Sequence, residues 1–265
     1  MEMALWVADG ALGLFRDQQP LLSQPCFALC REKYTCFAAG AKQGHGLHMK
    51  TGRVLFSFAL PGGVCVLEMF GPHLCALSTE ADALFAFHPQ TGSLCLSAPA
   101  GNYPRHFEVS PCRSFAAVAG GAAGDVLIFD HQLQCLRTFR VPGAVVSLCF
   151  LPRGLAALCA VGDEQVSSRL YFISPRGVME EIFACPTPPV SLCALPGGRL
   201  LMGCHGGIWH LHDGRAVGRR PCVYPARIRP AQRGYLYADA WQGCIRTEKG
   251  EMRYQGQEPV DFMQV

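Results

Sequence analysis

"VVSLCFLPRG" (residues 145–154) returns almost unchanged as "PVSLCALPGG" (residues 189–198). The shared serines, Ser147 and Ser191, are 44 positions apart. Both stretches alternate apolar positions and end in a turn that contains proline or glycine, which is typical of a β-strand followed by a tight turn. The chain therefore contains a repeat of strand-type sequence.

The same pattern extends in both directions along the chain. "PRHFEVSP" (residues 104–111) has the same shape, and so do "PCFALCREK", "GVCVLEMFG", "PARIRPAQRG" and "PVDFMQV". The equivalent third positions are spaced by 34 to 44 residues: Phe27, Cys65, His106, Ser147, Ser191, Arg227 and Asp261. Each copy continues with three further short apolar segments, and four strands in about 40 residues is the unit of a β-propeller blade.

The repeat predicts an all-β fold, a seven-bladed β-propeller of four-stranded antiparallel blades in a single domain, 1–265. The N-terminus supplies three strands with no first strand, and the C-terminus ends on a first strand, so we expect the two ends to form one blade and close the ring. Ring closure removes exposed sheet edges. The expected blades are 259–265 with 1–25, 26–62, 63–103, 104–143, 144–187, 188–224 and 225–258.

Composition restricts the classes of function. The chain has 265 residues, a hydrophobic content of 50%, a charged content of 16% and a net charge of +3. This mild charge argues against nucleic-acid binding, and no apolar run is long enough to span a membrane. The N-terminus has no export-signal pattern, so we expect a cytoplasmic monomer. The 15 cysteines include no C-x-x-C pair, so we expect reduced thiols packed in the core and no cofactor.

Two stretches resemble known propeller families. Residues 103–130, "YPRHFEVSPCRSFAAVAGGAAGDVLIFD", resemble the repeats of lactonase-like and YVTN-type bacterial propellers. Residues 126–152 resemble a degenerate WD-type repeat, with Phe129-Asp130 in the place of Trp-Asp. The lactonase-like resemblance implies a hydrolase of sugar or carboxylic-acid lactones whose site lies at the central channel. It carries over His106 and Arg105 of the Pro-Arg-His-Phe motif.

The predicted site is the central channel, because the first strand of each blade lines it. The residues expected there as ligand-binding groups are Arg105, His106, Ser147, Ser191, Arg227, Arg229 and Asp261. Glu108 shares a face with His106 on an extended strand, so Arg105, His106 and Glu108 are also candidate catalytic groups. Three interpretations stay open: these side chains satisfy one another, they bind a ligand, or they catalyse a reaction.

Two further clusters carry alternative interpretations. In "GCHGGIWHLHDG" (residues 203–214), Gly206-Gly207 is expected to be a hairpin turn that sets His210 and His212 on one face, as in a metal-binding pair. A packed or partly exposed histidine pair is the alternative. Six arginines between 215 and 233 form either an anion-binding cluster or a solvated outer strand.

The sequence thus favours a non-catalytic scaffold that binds a protein, a peptide or a small anionic ligand at the channel mouth. A lactonase-like hydrolase is the alternative. Sequence motifs of serine hydrolases, P-loop proteins and HExxH metalloproteases do not occur.

Overall fold

The computed structural model describes residues 4–264, and these residues form 28 strands and no helix. The strands pair into seven four-stranded antiparallel sheets. The described part of the chain accordingly contains no helix of the length and hydrophobicity needed to cross a membrane. The predicted seven-bladed β-propeller is confirmed.

The strands are numbered in chain order and take four places in the blades. The first, innermost strands are β4 (Ala28–Glu32), β8 (Val64–Phe70), β12 (His106–Val109), β16 (Ala144–Leu151), β20 (Pro189–Leu195), β24 (Pro225–Pro230) and β28 (Pro259–Gln264). The second strands are β1 (Leu5–Asp9), β5 (Thr35–Ala39), β9 (His73–Ser78), β13 (Ala116–Ala119), β17 (Gly154–Val161), β21 (Arg199–Cys204) and β25 (Tyr235–Asp239).

The outer two places complete each blade. The third strands are β2 (Gly13–Arg16), β6 (Gln43–His48), β10 (Ala83–Phe87), β14 (Asp125–Phe129), β18 (Ser167–Ile173), β22 (Gly207–His212) and β26 (Cys244–Thr247). The fourth strands are β3 (Gln19–Leu22), β7 (Val54–Ala59), β11 (Leu94–Pro99), β15 (Cys135–Arg140), β19 (Met179–Cys185), β23 (Arg215–Pro221) and β27 (Met252–Gln255).

The ring closes as the sequence predicts. The C-terminal strand β28 pairs with β1, and the sheet order β28-β1-β2-β3 forms blade 1 from both ends of the chain. Blades 2 to 7 follow as β4–β7, β8–β11, β12–β15, β16–β19, β20–β23 and β24–β27. Each first strand contacts the first strands of both neighbouring blades, so the seven first strands surround a central channel.

The hydrophobic core lies in the seams between blades. Seven buried apolar clusters each join the facing sides of two neighbouring blades. The second strands are buried on both faces, as in β1, β13 and β25, whereas fourth strands such as β15 and β23 are mostly exposed. This gradient explains the nearly continuous apolar sequence of the second strands.

A β-bulge near the start of several first strands changes the predicted alignment. In β8 the register shifts between Val64 and Val66, as it does between Val145 and Ser147 in β16. Val66, and not the predicted Cys65, is therefore equivalent to Ser147. In β4 the equivalent residue is Ala28, one after Phe27, because Ala28 pairs with Ala39 as His106 pairs with Ala119. The bulge adds one residue that spacing alone does not reveal.

Two buried aspartates anchor the loops that enter the ring. The Asp9 carboxylate accepts hydrogen bonds from the backbone N–H groups of Gln257 and Glu258 and from the Tyr254 hydroxyl at 3.0–3.2 Å. The Asp239 carboxylate accepts the N–H groups of Val223 and Tyr224 at 2.7 and 3.1 Å. Both residues end a second strand, so each ties the preceding blade's outgoing chain to its own sheet.

Candidate functional site

Two rings of side chains line the channel. First strands begin at one face of the propeller, called the upper face here, and end at the lower face. The upper ring consists of Ala28, Val66, His106, Ser147, Ser191, Arg227 and Asp261. Residues two positions later on the same strands point the same way, and they form the lower ring of Cys30, Glu68, Glu108, Cys149, Cys193, Arg229 and Met263.

The upper ring connects neighbouring first strands by hydrogen bonds. The Leu148 N–H donates to His106 Nδ1 at 3.2 Å, and the Leu192 N–H donates to Ser147 Oγ at 3.1 Å. In the same way the Leu29 N–H donates to Asp261 Oδ2 at 3.0 Å. Each first strand is the inner edge of its sheet, so these N–H groups have no partner within their own ladder. The polar side chains satisfy that edge.

Ser191 makes a fourth hydrogen bond between neighbouring first strands, but here the side chain is the donor. Its hydroxyl donates to the carbonyl oxygen of Pro225 at 2.6 Å. The predicted polar column thus has a structural role at four of its seven positions, because each side chain joins its blade to the next one.

Asp261 and Arg229 form the strongest ion pair of the channel. Arg229 Nε and Nη2 donate to Asp261 Oδ1 at 3.1 and 2.9 Å. Burial opposes ionisation of Asp261, but Arg229 and Arg227 outweigh that effect and lower its pKa. Burial also opposes the charge of Arg229, and Asp261 with Glu68 raises the pKa of Arg229 above its usual range. Both groups are therefore ionised at neutral pH.

His106 is neutral at physiological pH. Its burial, together with the positive charges of Arg227 and Arg229, lowers its pKa to about 3. Arg227 Nη1 lies 3.2 Å from His106 Nε2, while Nδ1 faces the Leu148 N–H. A neutral imidazole offers one nitrogen lone pair as acceptor, so it satisfies only one of these two donors fully. A group with this pKa has little affinity for a proton and is a weak general base.

The two glutamates of the lower ring hold protons more tightly than free carboxyls. Desolvation raises the pKa of Glu108 to about 7, and Arg227 only partly offsets it. Desolvation also raises the pKa of Glu68, against the opposing effect of Arg229 and Arg227. Arg227 Nη2 lies 4.0 Å from Glu68 Oε1. Near neutral pH the charge of the lower ring therefore changes as Glu108 titrates.

The remaining lower-ring positions are mostly thiols. Cys30, Cys149 and Cys193 are buried, and burial raises the pKa of each thiol above its ordinary value. They are therefore uncharged, poor nucleophiles at neutral pH. Ten of the 15 cysteines are buried, as expected for thiols packed in the core, whereas Cys95, Cys112 and Cys135 are exposed.

The channel opens at the lower face into a cavity of about 450 Å³. Its walls come from the ends of β4, β8, β24 and β28, and include Cys30, Arg31, Glu68, Arg229 and Gln232. Arg31 is exposed, and the side chain of Arg229 is 25% exposed. This volume lies within the range of small-ligand sites.

The structure brings most of the predicted site residues together. His106, Glu108, Arg227, Arg229 and Asp261 interact in the channel. Ser147 and Ser191 lie in the same ring. Arg105 does not join them, because its side chain is exposed at the upper face with its guanidinium 5.2 Å from the centre of the Tyr103 ring.

The predicted histidine pair lies in the outer part of blade 6. His210 Nε2 is 2.9 Å from the Tyr235 hydroxyl, and His212 is exposed. The turn consists of His205 and Gly206, one residue earlier than predicted, because Gly207 already pairs with Cys204. Within residues 4–264 no group of three or more Cys, His, Asp or Glu side chains is arranged to hold a metal ion.

The six predicted arginines separate into two environments. Arg227 and Arg229 face the channel, whereas Arg215 and Arg219 lie on the exposed strand β23. The guanidinium of Arg219 is 5.1 Å from the ring centre of Trp209. The six arginines therefore do not form one anion site.

Sequence reasoning missed Glu68 and Arg31. Glu68 belongs to the lower ring only when Val66, and not Cys65, is aligned with Ser147, so the undetected bulge removed it from the candidates. Arg31 follows Cys30 by one position and lies at the mouth because β4 ends there. An acidic residue in the otherwise apolar "VCVLEMF" was the available signal.

Comparison with known proteins defines the fold class. No family profile matches the sequence, and no curated protein matches it. Among solved structures, a putative 6-phosphogluconolactonase from Bacteroides uniformis superposes with a TM-score of 0.78 at 14% identity, covering 100% of this chain and 99% of that one. A putative 6-phosphogluconolactonase from Bacteroides fragilis gives 0.75 at 13%, covering 100% and 98%.

A WD40 propeller is similar as well. The WD40 β-propeller domain of Doa1 gives a TM-score of 0.68 at 13% identity, covering 90% of this chain and 86% of that one. The chain is therefore a seven-bladed β-propeller with lactonase-like and WD40 structural neighbours, which confirms the fold that both resemblances implied. At these identities the likeness extends to the fold alone.

Proposed function

We propose that this propeller is a non-catalytic module that binds a small organic carboxylate at the lower mouth of its central channel. The observation that carries the proposal is the charge imbalance around Arg229. Arg227 and Arg229 are both cationic, and Asp261 is the one carboxylate near them whose pKa is lowered. An arginine without a full counter-charge is a suitable partner for a carboxylate.

The protonation state of Glu68 and Glu108 determines the net charge of the channel network. When Glu68 and Glu108 are protonated, two guanidinium groups face one carboxylate. When they ionise, the network is neutral or negative and competes with an anionic ligand. Because the pKa of Glu108 is about 7, anion binding is expected to be coupled to proton uptake and to strengthen as the pH falls through 7.

The lower mouth offers groups suited to a polyhydroxy acid. Arg31 supplies a second, exposed guanidinium, and the amides of Gln232 and Gln264 line the same cavity. Amide groups donate to and accept from hydroxyl groups. A six-carbon sugar acid combines one carboxylate with several hydroxyls, and the cavity volume of about 450 Å³ is ample for it.

Isothermal titration with D-gluconate tests the proposal, with sorbitol as an uncharged analogue. We expect a single gluconate site and at least about tenfold weaker binding of sorbitol, the loss of one charge-assisted pair. Arg31→Gln should weaken gluconate binding. Arg53→Gln is the matched control, because Arg53 is outside the cavity. Equal affinity for gluconate and sorbitol, or no binding of either at millimolar concentration, would contradict a carboxylate site.

A lactonase-like hydrolase is the second candidate, favoured by Glu108. A carboxyl group with a pKa near 7 in a channel is suited to general acid–base catalysis. The structural neighbours described as putative 6-phosphogluconolactonases support the same direction. Hydrolysis of glucono-1,5-lactone, followed against its spontaneous rate, distinguishes the candidates. The hydrolase predicts acceleration that Glu108→Gln removes, and the binding module predicts the spontaneous rate throughout.

A protein or peptide partner, the other possibility drawn from the sequence, stays a prediction. The channel mouth is lined by a compact set of polar groups, which is a better match to a small acid than to a broad protein interface.

A further inference from the structure

A second cavity, separate from the channel, lies in the seam between blades 4 and 5. Its volume is about 680 Å³, and it is open at the lower face. Phe115, Phe139, Phe150, Leu151 and Ile173 supply much of its wall. Phe115 is 45% exposed. An apolar cavity of this size is the usual form of a site for a small ligand.

The seam between blades 2 and 3 shows what fills the equivalent space elsewhere. There Phe56 and Phe58 of β7 pack with Phe85 and Phe87 of blade 3 in a continuous aromatic cluster. The ring centres of Phe58 and Phe87 are 5.1 Å apart, and those of Phe56 and Phe58 are 6.2 Å apart. This seam is called the closed seam, and that between blades 4 and 5 the open seam.

The strand registers identify the equivalent residues of the two seams. Phe58 pairs with Gly44 and Phe56 with Gly46, and a bulge follows. In blade 4, Phe139 pairs with Val126 and Arg137 with Ile128, and a bulge follows at the same place. Arg137 therefore occupies the position of Phe56. Ile128 occupies the position of Gly46.

Blade 5, on the other side of the open seam, also has a smaller residue where the closed seam has a phenylalanine. Phe87 pairs with Leu74 in blade 3, and Ile173 pairs with Leu155 in blade 5, so Ile173 occupies the position of Phe87. A Cβ atom on Gly46 would overlap the ring of Phe56, so this glycine is what allows a phenylalanine at the position of Phe56. Two aromatic rings of the closed seam are replaced by an arginine and an isoleucine in the open seam.

The polar residues that line the open seam indicate the charge of a ligand that would bind there. Arg137 and Arg153 line the cavity, and none of the lining residues is acidic. Arg137 Nη1 donates to the carbonyl oxygen of Pro175 at 2.7 Å. That contact fixes the guanidinium at the rim while leaving its other N–H groups free to donate.

From these observations we propose that the open seam binds an apolar organic acid, with the hydrocarbon part between Phe139, Phe150 and Ile173 and the carboxylate at Arg137 and Arg153. The apolar part takes the space that Phe56 and Phe87 fill in the closed seam. The carboxylate supplies the counter-charge that the lining residues lack. This site is independent of the carboxylate site proposed at the channel.

Decanoate is the probe, and decanol is its uncharged counterpart. Binding is measured by titration calorimetry and by displacement of anilinonaphthalene sulfonate, an apolar anion that fluoresces in apolar sites. We expect one decanoate site, with decanol at least about tenfold weaker. Arg153→Gln should reduce decanoate affinity about tenfold, whereas Arg140→Gln, on β15 but outside the cavity, should leave it unchanged. Equal loss in both variants would overturn the proposal.

Two variants close the cavity by copying the closed seam. Ile128→Gly combined with Arg137→Phe restores the glycine and the phenylalanine, and Ile173→Phe alone restores the position of Phe87. Each should abolish decanoate binding in a folded protein. The single variant gives the result if the double variant does not fold. Unchanged decanoate affinity in a folded variant would show that decanoate binds elsewhere and would overturn the proposal.

Cys112 provides an internal reporter of occupancy. It lies at the cavity wall and is exposed, and its Sγ is 3.3 Å from Ser110 Oγ. The hydrogen bond from Ser110 lowers its pKa to about 7, so it should react readily with maleimide. With Cys95 and Cys135, the other exposed cysteines, replaced by serine, saturating decanoate should slow the labelling of Cys112 several-fold. Arg31→Gln should leave this protection intact, which separates this site from the channel.

Discussion

The channel and the seams join the same seven blades by different physical means. In the seams, apolar side chains from two blades interlock, as Phe70 and Phe107 do with ring centres 6.2 Å apart. In the channel, adjacent blades are joined by single hydrogen bonds and by the ion pair of Asp261 with Arg229. Seam contacts depend on buried area and hardly on pH, whereas channel contacts depend on the charge of a few groups. Ring stability therefore resides in the seams, and pH sensitivity resides in the channel.

The largest effect is expected from the loss of a seam ring. Phe107 is fully buried between blades 3 and 4, so Phe107→Ala should lower the free energy of unfolding by about 4 kcal/mol, measured by urea denaturation. Phe115→Ala is the control, because Phe115 is 45% exposed and its removal should cost clearly less, about 1–2 kcal/mol. Similar losses in both variants would contradict the assignment of stability to the seams.

Removal of the channel's carboxylate should have the next largest effect. Asp261→Asn keeps an oxygen for the Leu29 N–H but leaves Arg227 and Arg229 without an ionised partner. We expect a loss of about 3 kcal/mol at pH 7, somewhat reduced by the partial exposure of Arg229. The loss should shrink when Arg229→Gln is added, because only Arg227 then remains without an ionised partner. A double variant less stable than the sum of the two single variants would contradict the ion-pair account.

The pH dependence of stability should distinguish the channel from the seams. The pKa of Glu108 is raised from 4.5 to about 7 in the fold. Its contribution to stability is therefore complete below pH 4.5 and is lost as the pH rises to 7. Relative to the native protein, Glu108→Gln should gain up to about 3 kcal/mol between pH 4 and pH 8.

The effect of His106 on the pH dependence of stability has the opposite sign. Its pKa is lowered from 6.5 to about 3, so its contribution is present above pH 6.5 and is lost as the pH falls toward 3. His106→Gln should therefore be relatively more stable at pH 4 than at pH 8. The seam variant Phe107→Ala should show a nearly constant difference from the native protein across this range. A strong pH dependence of that difference would remove the contrast between the two regions.

The smallest effect is expected at Ser191. Its hydroxyl hydrogen bond to Pro225 should be worth about 1 kcal/mol, so Ser191→Ala should lower the free energy of unfolding by that amount. Ser97 is exposed on β11, and Ser97→Ala should leave stability unchanged. An effect of Ser191→Ala as small as that of Ser97→Ala would show that the upper ring does not connect the blades.

The sequence predicts the seams far better than the channel. Alternating apolar positions and a regular spacing are enough to predict the blades and the closure by β28, because burial is common to every repeat. Val66 and Glu68 were displaced from their positions because a bulge inserts one residue without changing the apolar pattern of "VCVLEMF". A shift of one residue exchanges the two faces of a strand.

The exposed position of Arg105 shows a second limit. It immediately precedes the channel-facing His106, so alternation turns its side chain away from the channel, and its guanidinium packs on Tyr103. The motif predicts that Arg105 lies near the channel, but not that its side chain points away from it. The open seam could not be predicted from the sequence either. Arg137 stands where the closed seam has Phe56, and this equivalence appears only after β7 and β15 are aligned by their pairing registers.

The channel is proposed to bind a carboxylate through residual positive charge that Glu108 controls. Titration calorimetry with D-gluconate at pH 6 and pH 8 tests it directly, because a ligand carboxylate stays ionised over this range. The native protein should bind gluconate about fivefold more tightly at pH 6, the effect of one unit charge at roughly 8 Å in a partly screened environment. Glu108→Gln should bind with the same affinity at both values. An affinity of the native protein that does not change with pH, or a Glu108→Gln variant that keeps the full pH dependence, would contradict control by Glu108.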